Sequence, residues 1–469
     1  LCASYRCQRA RSTCPRNDME PAHLIDPNAL QRDWIEGTTG KALYRRVQRC
    51  LTQIEAVGED ARVRGVLLVE ADPLRFTAAF FAAVSLGVPV ILANPKWQHG
   101  EWERVATLVN PAVIFGEAAV STTARTGIQH PKPGSILIPT GGSTAGVKFA
   151  AHTWQTLLAT CNGLSELLGE GPIHSCCVLP LFHVSGLMQL VRSFVTAGHI
   201  IFTDFKALQA GQLPDFSPGA LCLSLVPTQL QRIMAQQNSV DWLRTLRVIV
   251  VGGSATPSSV IEQARALQLP VMLSYGMTET AAMVTALPAA EFLAGQTNAG
   301  RALSHACIQV LREDGAECRA GESGQIRIRA TSMFKGYHGR SGEVSKLGYL
   351  SDDEGYFDSL GCLHVVGRSD RLIVSGGEKI DPHEVEQAIL RSGQVEQVMV
   401  VGWPDSEWGQ KLVALYVPRL QLSGKRDWEA ELRANLANYK IPKQILQVAA
   451  LPLNEGGKVD RHSIQRLIE

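Results

Sequence analysis

Ser135-Ile-Leu-Ile-Pro-Thr-Gly-Gly-Ser-Thr-Ala-Gly-Val-Lys148, running on into Phe149-Ala-Ala-His-Thr-Trp154, is the segment from which the architecture of the chain is read. Ser135 to Ile138 is a short aliphatic run of the kind that forms a buried strand. Thr153 then offers a helix cap, and Leu157, Cys161, Leu164 and Leu168 return at helical spacing on one face. The reading is strand, glycine loop, helix. Working outward, further short apolar runs lie between helical patterns: Gly65 to Val69, Val88 to Leu92, Ala112 to Phe115, Leu221 to Leu225, Leu246 to Val251 and Val271 to Tyr275. Apolar strands alternating with helices predict parallel sheets covered on both faces, so the expected class is α/β with doubly wound parallel sheets.

Beyond about Gly300 the texture changes. Gln325 to Arg329, Cys362 to Val366 and Leu372 to Val374 are short strands punctuated by Asp314-Gly315, Gly321, Gly324 and Gly361, a β-rich subdomain. After Gly367-Arg368 a second mixture is expected: a helix near Pro382 to Arg391, strands Gln397 to Val401 and Leu412 to Val417, and a helix near Trp428 to Leu436. The predicted organisation is a large N-terminal domain over 19–368 and a small mobile α+β domain over 370–469. Residues 1–18, with four arginines, three cysteines and no apolar period, read as a disordered or artefactual extension, with Met19 as the start.

The composition narrows the partners. The 469 residues carry 45 Lys plus Arg against 44 Asp plus Glu, and a net charge of +1 gives no broad field to hold a polyanion. A small molecule in a pocket is expected, not nucleic acid or a membrane surface. Phe76 to Pro95 is uncharged and long enough to cross a bilayer, but Gly87 and Pro89 divide it into a helix Phe76 to Leu86 and a strand Val88 to Leu92. Eleven cysteines without regular spacing, and no secretory signal, fit reduced thiols and a cytoplasmic protein. Homo-oligomerisation is left open.

The loop Pro139 to Lys148 holds three glycines, three hydroxyls and a lysine directly after a strand. Freed amides, hydroxyl donors and one ammonium together suit a polyphosphate. The Gly-Lys-Ser/Thr ending of the common phosphate loop is missing, and no Gly-x-Gly-x-x-Gly opens the helix. A plain turn of small residues remains the alternative for this loop by itself. No Gly-x-Ser-x-Gly elbow and no Cys/His zinc spacing occurs, and vicinal Cys176-Cys177 read as structural.

Further stretches in a fixed order carry a resemblance: Leu179-Pro-Leu-Phe-His183-Val-Ser-Gly-Leu187, Val251-Gly-Gly-Ser254, Tyr275-Gly-Met-Thr-Glu279-Thr280, Tyr349 to Asp358, Gly367-Arg368-Ser-Asp370, Ser375-Gly-Gly-Glu-Lys-Ile-Asp-Pro-His-Glu384-Val-Glu386, and Leu451-Pro-Leu-Asn-Glu-Gly-Gly-Lys458-Val-Asp-Arg461. With the glycine loop they resemble the adenylate-forming enzymes, the acyl-CoA synthetases and their relatives, from about Ser135 to the end of the chain. The resemblance implies ATP, Mg²⁺ and CoA as cofactor and co-substrates, and a carboxylic acid as substrate.

It also implies roles. Thr140, Gly142, Ser143, Thr144 and Lys148 cradle phosphates; Gly253, Ser254, Tyr275, Gly276 and Thr278 line the nucleotide, with Tyr275 stacked on adenine. Glu279 holds Mg²⁺, a hard-oxygen task suited to a carboxylate. Asp353 accepts from the ribose hydroxyls with Arg368 assisting, and Lys458 stabilises charge as the adenylate forms. Asp370 is the hinge of the small domain. Gly376 and Gly377 leave room for a pantetheine arm, and His183 gates or positions the acyl group. Ordinary readings exist for each: a solvated turn acid for Asp353, a surface lysine for Lys458, a packed ring for Tyr275 or His183.

The implied chemistry runs in two steps: a carboxylate attacks the α-phosphate of ATP, and a thiol then takes the acyl group from the adenylate. Four positions depart from the usual loop. Gly141 stands where serine is frequent, Ala145 where glycine is usual, Val147 where proline is usual and Phe149 where glycine often follows. Within the family, the loop running into Phe149-Ala-Ala-His-Thr-Trp154 and Ser224-Leu-Val-Pro-Thr-Gln-Leu230 resemble the ligases that act on 2-succinylbenzoate in menaquinone and phylloquinone synthesis. Ser224, Thr228, Ser254, Thr278 and Thr285 are unranked candidates for its polar groups. A fatty or aryl acyl-CoA ligase, an enzyme loading a carrier protein, and a non-catalytic nucleotide or acyl binder stay open beside it.

Overall fold

The computed structural model describes residues 25–97, 99–142, 146–340, 344–345, 347–368, 373–375, 378–405, 408–419, 432–433, 436, 438–452 and 461–468. The expected extension over 1–18, and Ser143, Thr144, Asp370, Gly376, Gly377 and Lys458, lie outside the described residues. So does most of the helix expected near Trp428. The chain forms two compact units. One runs to Thr256 and takes in Val260–Gln309 and Arg327–Leu350; the other comprises Pro257–Ser259, Val310–Ile326 and the chain from Ser351 onward.

The first unit is built on two sheets, as the alternation of apolar runs and helices predicts. Strands β1 (Val66–Val69), β2 (Val90–Leu92), β3 (Val113–Gly116), β4 (Ile136–Gly142) and β5 (Gly146–His152) make a five-stranded sheet in the order β3-β1-β2-β4-β5. Strands β6 (His174–Cys177), β7 (Ile200–Phe202), β8 (Leu221–Leu225), β9 (Val248–Val251), β10 (Val271–Met277), β11 (Ala282–Leu287) and β12 (Arg301–Ala302) make a seven-stranded sheet in the order β12-β11-β10-β9-β8-β6-β7. Pairings are parallel except at β5, β11 and β12, which run antiparallel to their neighbours. Central strands such as β1 and β9 are buried at every residue, so both faces are covered.

The uncharged stretch becomes one helix and one strand. Asp72 caps helix Pro73–Ser85 by accepting from the Arg75 amide at 2.8 Å, and Pro73 sits where its missing N–H is harmless. Phe76 through Val84 are all buried, in one core with Leu43, Val47 and Ile54 of helix Gly40–Val57. Each of Phe76, Phe80 and Phe81 contributes about 1.5–3 kcal/mol by leaving water. Gly87, at φ 65°, turns the chain toward β2. Among the described residues no helix is long and apolar enough to cross a membrane.

One local reading is corrected. The glycine loop does not lead straight into a helix: the chain returns as β5, antiparallel to β4, with Thr140 opposite Lys148 and Ile136 opposite His152. Phe149 is buried among Leu67, Ile91 and Trp102, with Val147 and Ala151 packed on the same cluster, while Ala150 and His152 are buried on the other face. That period of two is the pattern of a strand covered on both sides. Helix Trp154–Leu168 starts only afterwards, behind the Thr153 cap.

In the second unit, helix Pro382–Arg391 packs Val385 and Ile389 onto a five-stranded sheet made of Glu378–Ile380, Ile373–Ser375, Gly409–Pro418, Val395–Asp405 and Gln444–Gln447. The β-rich stretch supplies the strands Ala306–Leu311, Gly324–Ala330, Tyr349–Phe357 and Leu363–Arg368. The last two pair antiparallel, which sets Asp353 directly opposite Arg368.

Candidate active site

A polar arrangement of the first unit lies at the carboxyl end of β10, the edge of an open α/β sheet where ligands collect. The strand carries Tyr275, Gly276 and Met277, breaks into a 3₁₀ turn over Thr278–Thr280, and returns as β11. Thr280 closes the turn: its hydroxyl accepts from the Met277 amide at 3.0 Å and lies 2.5 Å from the Ala282 carbonyl. Gly276 is required here, because a Cβ at that position would stand 1.9 Å from the Ala282 carbonyl oxygen. Close approach of backbone to backbone, more than torsion, selects the glycine.

Glu279 is held at both ends. Its carbonyl accepts from the Phe334 amide at 2.8 Å, and its carboxylate accepts from the Tyr337 hydroxyl. The residue is only 7% exposed. Lys148 reaches the same place from β5, its Nζ 5.3 Å from the centre of the Tyr337 ring. The segment carrying Phe334 and Tyr337 lies along β5: the Lys335 amide donates to the Ala151 carbonyl at 2.7 Å and the His338 amide to the Phe149 carbonyl at 2.8 Å. Lysine, phenol and carboxylate therefore form one chain of contacts that joins the two sheets of this unit.

A magnesium ion fits such a donor set in one specific way. Among the described residues no group of three or more His, Cys, Asp or Glu could enclose a metal. Mg²⁺ keeps most of its waters and is usually held by one or two carboxylates together with substrate phosphates. A buried carboxylate with one oxygen already hydrogen-bonded, linked through the Tyr337 ring to a lysine, matches that mode.

His152 supports the turn through its ring, a role with no signal in the sequence. It is fully buried; its Nε2 lies 2.7 Å from the Thr278 carbonyl and its Nδ1 3.0 Å from the Thr156 hydroxyl. The carbonyl requires a proton on Nε2, so the neutral ring with Nδ1 accepting satisfies both bonds. Burial pushes its pKa down from 6.5 to about 4. The unfolded chain then binds more protons than the fold between about pH 4 and 6.5, so stability falls as pH falls through that window, by on the order of 3 kcal/mol in full. Thermal midpoints measured from pH 6.5 to 4 are expected to drop less steeply in His152→Gln, whose amide keeps a donor for Thr278. Equal slopes would remove His152 as the cause.

The other residues picked out by sequence occupy several elements. Thr140 is in β4 opposite Lys148, Tyr275 and Thr278 flank the β10 edge, and Gly253 takes φ 85° in the turn after β9, with Ser254 exposed beside it. His183 is the N-cap residue of helix Val184–Val195, with its ring 4.5 Å from that of Phe182. Ala281 and Ala282, just past Glu279, share a core with Leu187, Leu190 and Val191 of that helix. In the second unit Asp353 is 8% exposed and its amide donates to the Ser351 hydroxyl at 3.2 Å, whereas Asp352 faces solvent. Cys176 and Cys177 are buried in β6, which pushes both thiols up to about 12. That is the inert state of a packed cysteine.

Two features went unread in the sequence besides His152. Tyr337 is the link between Lys148 and Glu279. Arg192 and Gln189, three residues apart on helix Val184–Val195, are both buried, and among the described residues Arg192 Nε and Gln189 Oε1 have no hydrogen-bond partner.

Comparison with known proteins points to one family. The family model described as AMP-binding enzyme matches residues 122–338, and the model of its C-terminal domain matches 384–458. A 2-succinylbenzoate–CoA ligase of Geobacillus sp. (strain WCH70) is 32% identical over 354 residues, 71% of this chain and 69% of that protein. The ligase of the same name from Bacillus cereus (strain ATCC 10987 / NRS 248) is 27% identical over 492 residues, 97% of this chain and 99% of its own length. Among solved structures, o-succinylbenzoate CoA synthetase (MenE) from Bacillus subtilis with its acyl-adenylate intermediate superposes with a TM-score of 0.78 at 24% identity, over 95% of this chain and 98% of that one. The same enzyme with ATP and a magnesium ion gives 0.77 at 23%, over 95% and 99%. With both family models matched in chain order and a relative 32% identical that the chain covers to 69% of its length, the chain belongs to the AMP-binding enzymes, the adenylate-forming family.

Proposed function

We propose that this chain is an ATP-dependent acid–CoA ligase acting through an acyl adenylate, and that its acid is 2-succinylbenzoate, in menaquinone or phylloquinone biosynthesis. The observation that carries the chemistry is the Lys148–Tyr337–Glu279 chain at the end of β10. An ammonium lies over the ring whose hydroxyl bonds the buried carboxylate, an arrangement suited to a metal-bound polyphosphate. Magnesium, when bound, supplies charge neutralisation on the phosphate oxygens.

The reaction needs positioning and charge stabilisation, and no covalent nucleophile on the protein. In the first step a carboxylate oxygen of the acid attacks the α-phosphorus of ATP, the bond to the bridging oxygen breaks, and diphosphate leaves. Lys148 and the loop hydroxyls orient the leaving phosphates. Lys458 spreads the charge that develops between acid and nucleotide. In the second step the thiol of CoA attacks the acyl carbon, giving the thioester, AMP and one proton. Asp353 and Arg368 hold the ribose, and Gly376 and Gly377 line the path of the pantetheine arm as the small domain turns about Asp370. His183 orients the acyl group.

The named relatives favour 2-succinylbenzoate over other acids, at identities of 32% and 27%. Incubation with Mg·ATP, CoA and a panel of 2-succinylbenzoate, fatty and aryl acids, read by mass spectrometry, is expected to yield 2-succinylbenzoyl-CoA and AMP fastest. A faster thioester from another acid replaces the substrate, transfer only to a carrier protein replaces CoA, and ATP binding without adenylate from any acid replaces the enzyme by a binder.

A further inference from the structure

Lys148 and Glu279 carry opposite charges at one end of β10, and two such groups left in contact would pair and cancel. Tyr337 stands between them. Its hydroxyl donates to Glu279 Oε1, while the face of its ring carries the Lys148 ammonium at 5.3 Å, a cation–π distance. The tyrosine itself is fixed on several sides. It forms an antiparallel bridge with Ala150, the neighbouring Gly336 carbonyl accepts from the Ala151 amide at 3.0 Å, and Phe334 meets its ring edge-on at 5.0 Å. The Phe334 amide also holds the Glu279 carbonyl, so one four-residue segment fixes both the main chain and the side chain of Glu279. Tyr349 adds a hydrogen bond to the phenol.

We propose that Tyr337 is a positioning residue for the metal nucleotide: it occupies one oxygen of Glu279, turns the other toward Mg²⁺, and keeps Lys148 on its ring and available to phosphate instead of paired with the carboxylate. The inference rests on the function proposed above. It separates the two halves of the phenol by their effects. Tyr337→Phe keeps the ring and loses the donor; Tyr337→Gln keeps a donor and loses the ring.

The test is calorimetric titration of ATP into each full-length variant, with excess EDTA and across a series of Mg²⁺ concentrations. Tyr337→Phe is expected to bind ATP in EDTA within about twofold of the parent, but to need roughly tenfold more Mg²⁺ for the metal-dependent gain, the scale of one hydrogen bond to a charged group. Tyr337→Gln is expected to weaken ATP binding by a similar factor with and without Mg²⁺ and to leave the metal dependence in place. Unaltered Mg²⁺ dependence in Tyr337→Phe, or the same loss in EDTA as in Mg²⁺, overturns the inference. Should the phenylalanine variant not fold, Tyr337→Gln decides alone: a loss confined to Mg²⁺ overturns the proposal, and an equal loss supports it. A parent protein that binds no ATP under any condition sinks the functional reading as well; a parent that binds and adenylates normally leaves only the Tyr337 role at stake.

Discussion

Glu279→Gln is expected to lower the rate of adenylate formation by roughly 10²–10³-fold, the scale seen when one electrostatic partner of a transition state is removed. The glutamine keeps the shape of the side chain and one acceptor for the Tyr337 hydroxyl, so the turn over Thr278–Thr280 has no reason to move. What it loses is the negative charge through which this carboxylate would hold a magnesium ion. Glu279→Ala combines that loss with removal of the hydrogen bond from the Tyr337 hydroxyl, so a structural effect is mixed with the loss of charge. The glutamine variant is therefore the informative one. Acid-dependent diphosphate release at saturating Mg²⁺ measures the first step, and thioester formation from supplied acyl adenylate measures the second. Because diphosphate has already left by the second step, that half-reaction is expected to stay within a few-fold of the parent. A glutamine variant that adenylates within fivefold of the parent would remove Glu279 from the metal site.

The parallel framework is legible in the sequence because covered strands must be apolar at every position. Leu221 to Leu225 has the same ends in sequence and structure, and Val66–Val69, Val90–Leu92 and Val248–Val251 fall within the apolar runs read as strands. The antiparallel edges are another matter. β5 begins inside the glycine loop, which read as running straight on to the helix, although Val147, Phe149 and Ala151 alternate with Lys148, Ala150 and His152. β11, Ala282–Leu287, is as apolar as a helix segment of the same length, and only its antiparallel pairing with β10 makes it a strand.

The motif residues of the site show the same division. Glu279 and Lys148 stand out because a carboxylate after a strand and a lysine after a glycine loop are local signals. Tyr337 carries no local signal. It lies 58 residues from Glu279, and its place is set by the register of 335–338 along β5, a tertiary fact. Arg192 and Gln189 were within reach. Two polar residues three apart in Val184-Ser-Gly-Leu-Met-Gln-Leu-Val-Arg192 fall on one helical face, and every residue from Gly186 to Phe194 is buried. Polar side chains on a helix with no solvent face need partners, which is a sequence-level reason to expect a polar ligand there.

The sharpest test of the two-step reading pairs opposite lesions near the end of the chain. Lys458→Ala is expected to depress adenylation by roughly 10²–10³-fold and to spare transfer from supplied acyl adenylate, while Gly376→Trp is expected to do the reverse. An ammonium on a flexible four-carbon stem acts as a point charge, and the charge it answers exists only while the carboxylate and the α-phosphate are joined to departing diphosphate. Once the adenylate has formed, AMP is already a good leaving group, and the thiol needs access more than it needs a cation. Access is what a glycine pair provides and an indole removes, because backbone without Cβ atoms leaves the widest passage for a pantetheine arm. The assay is the same pair of half-reactions run on both variants. Equal loss in both half-reactions for Lys458→Ala would make the lysine structural, and a Gly376→Trp variant that fails first in adenylation would move the thiol path elsewhere. Crossed losses, each variant failing where the other succeeds, require that one chain present two different surfaces to one adenylate, which is the physical content of a domain turning between steps.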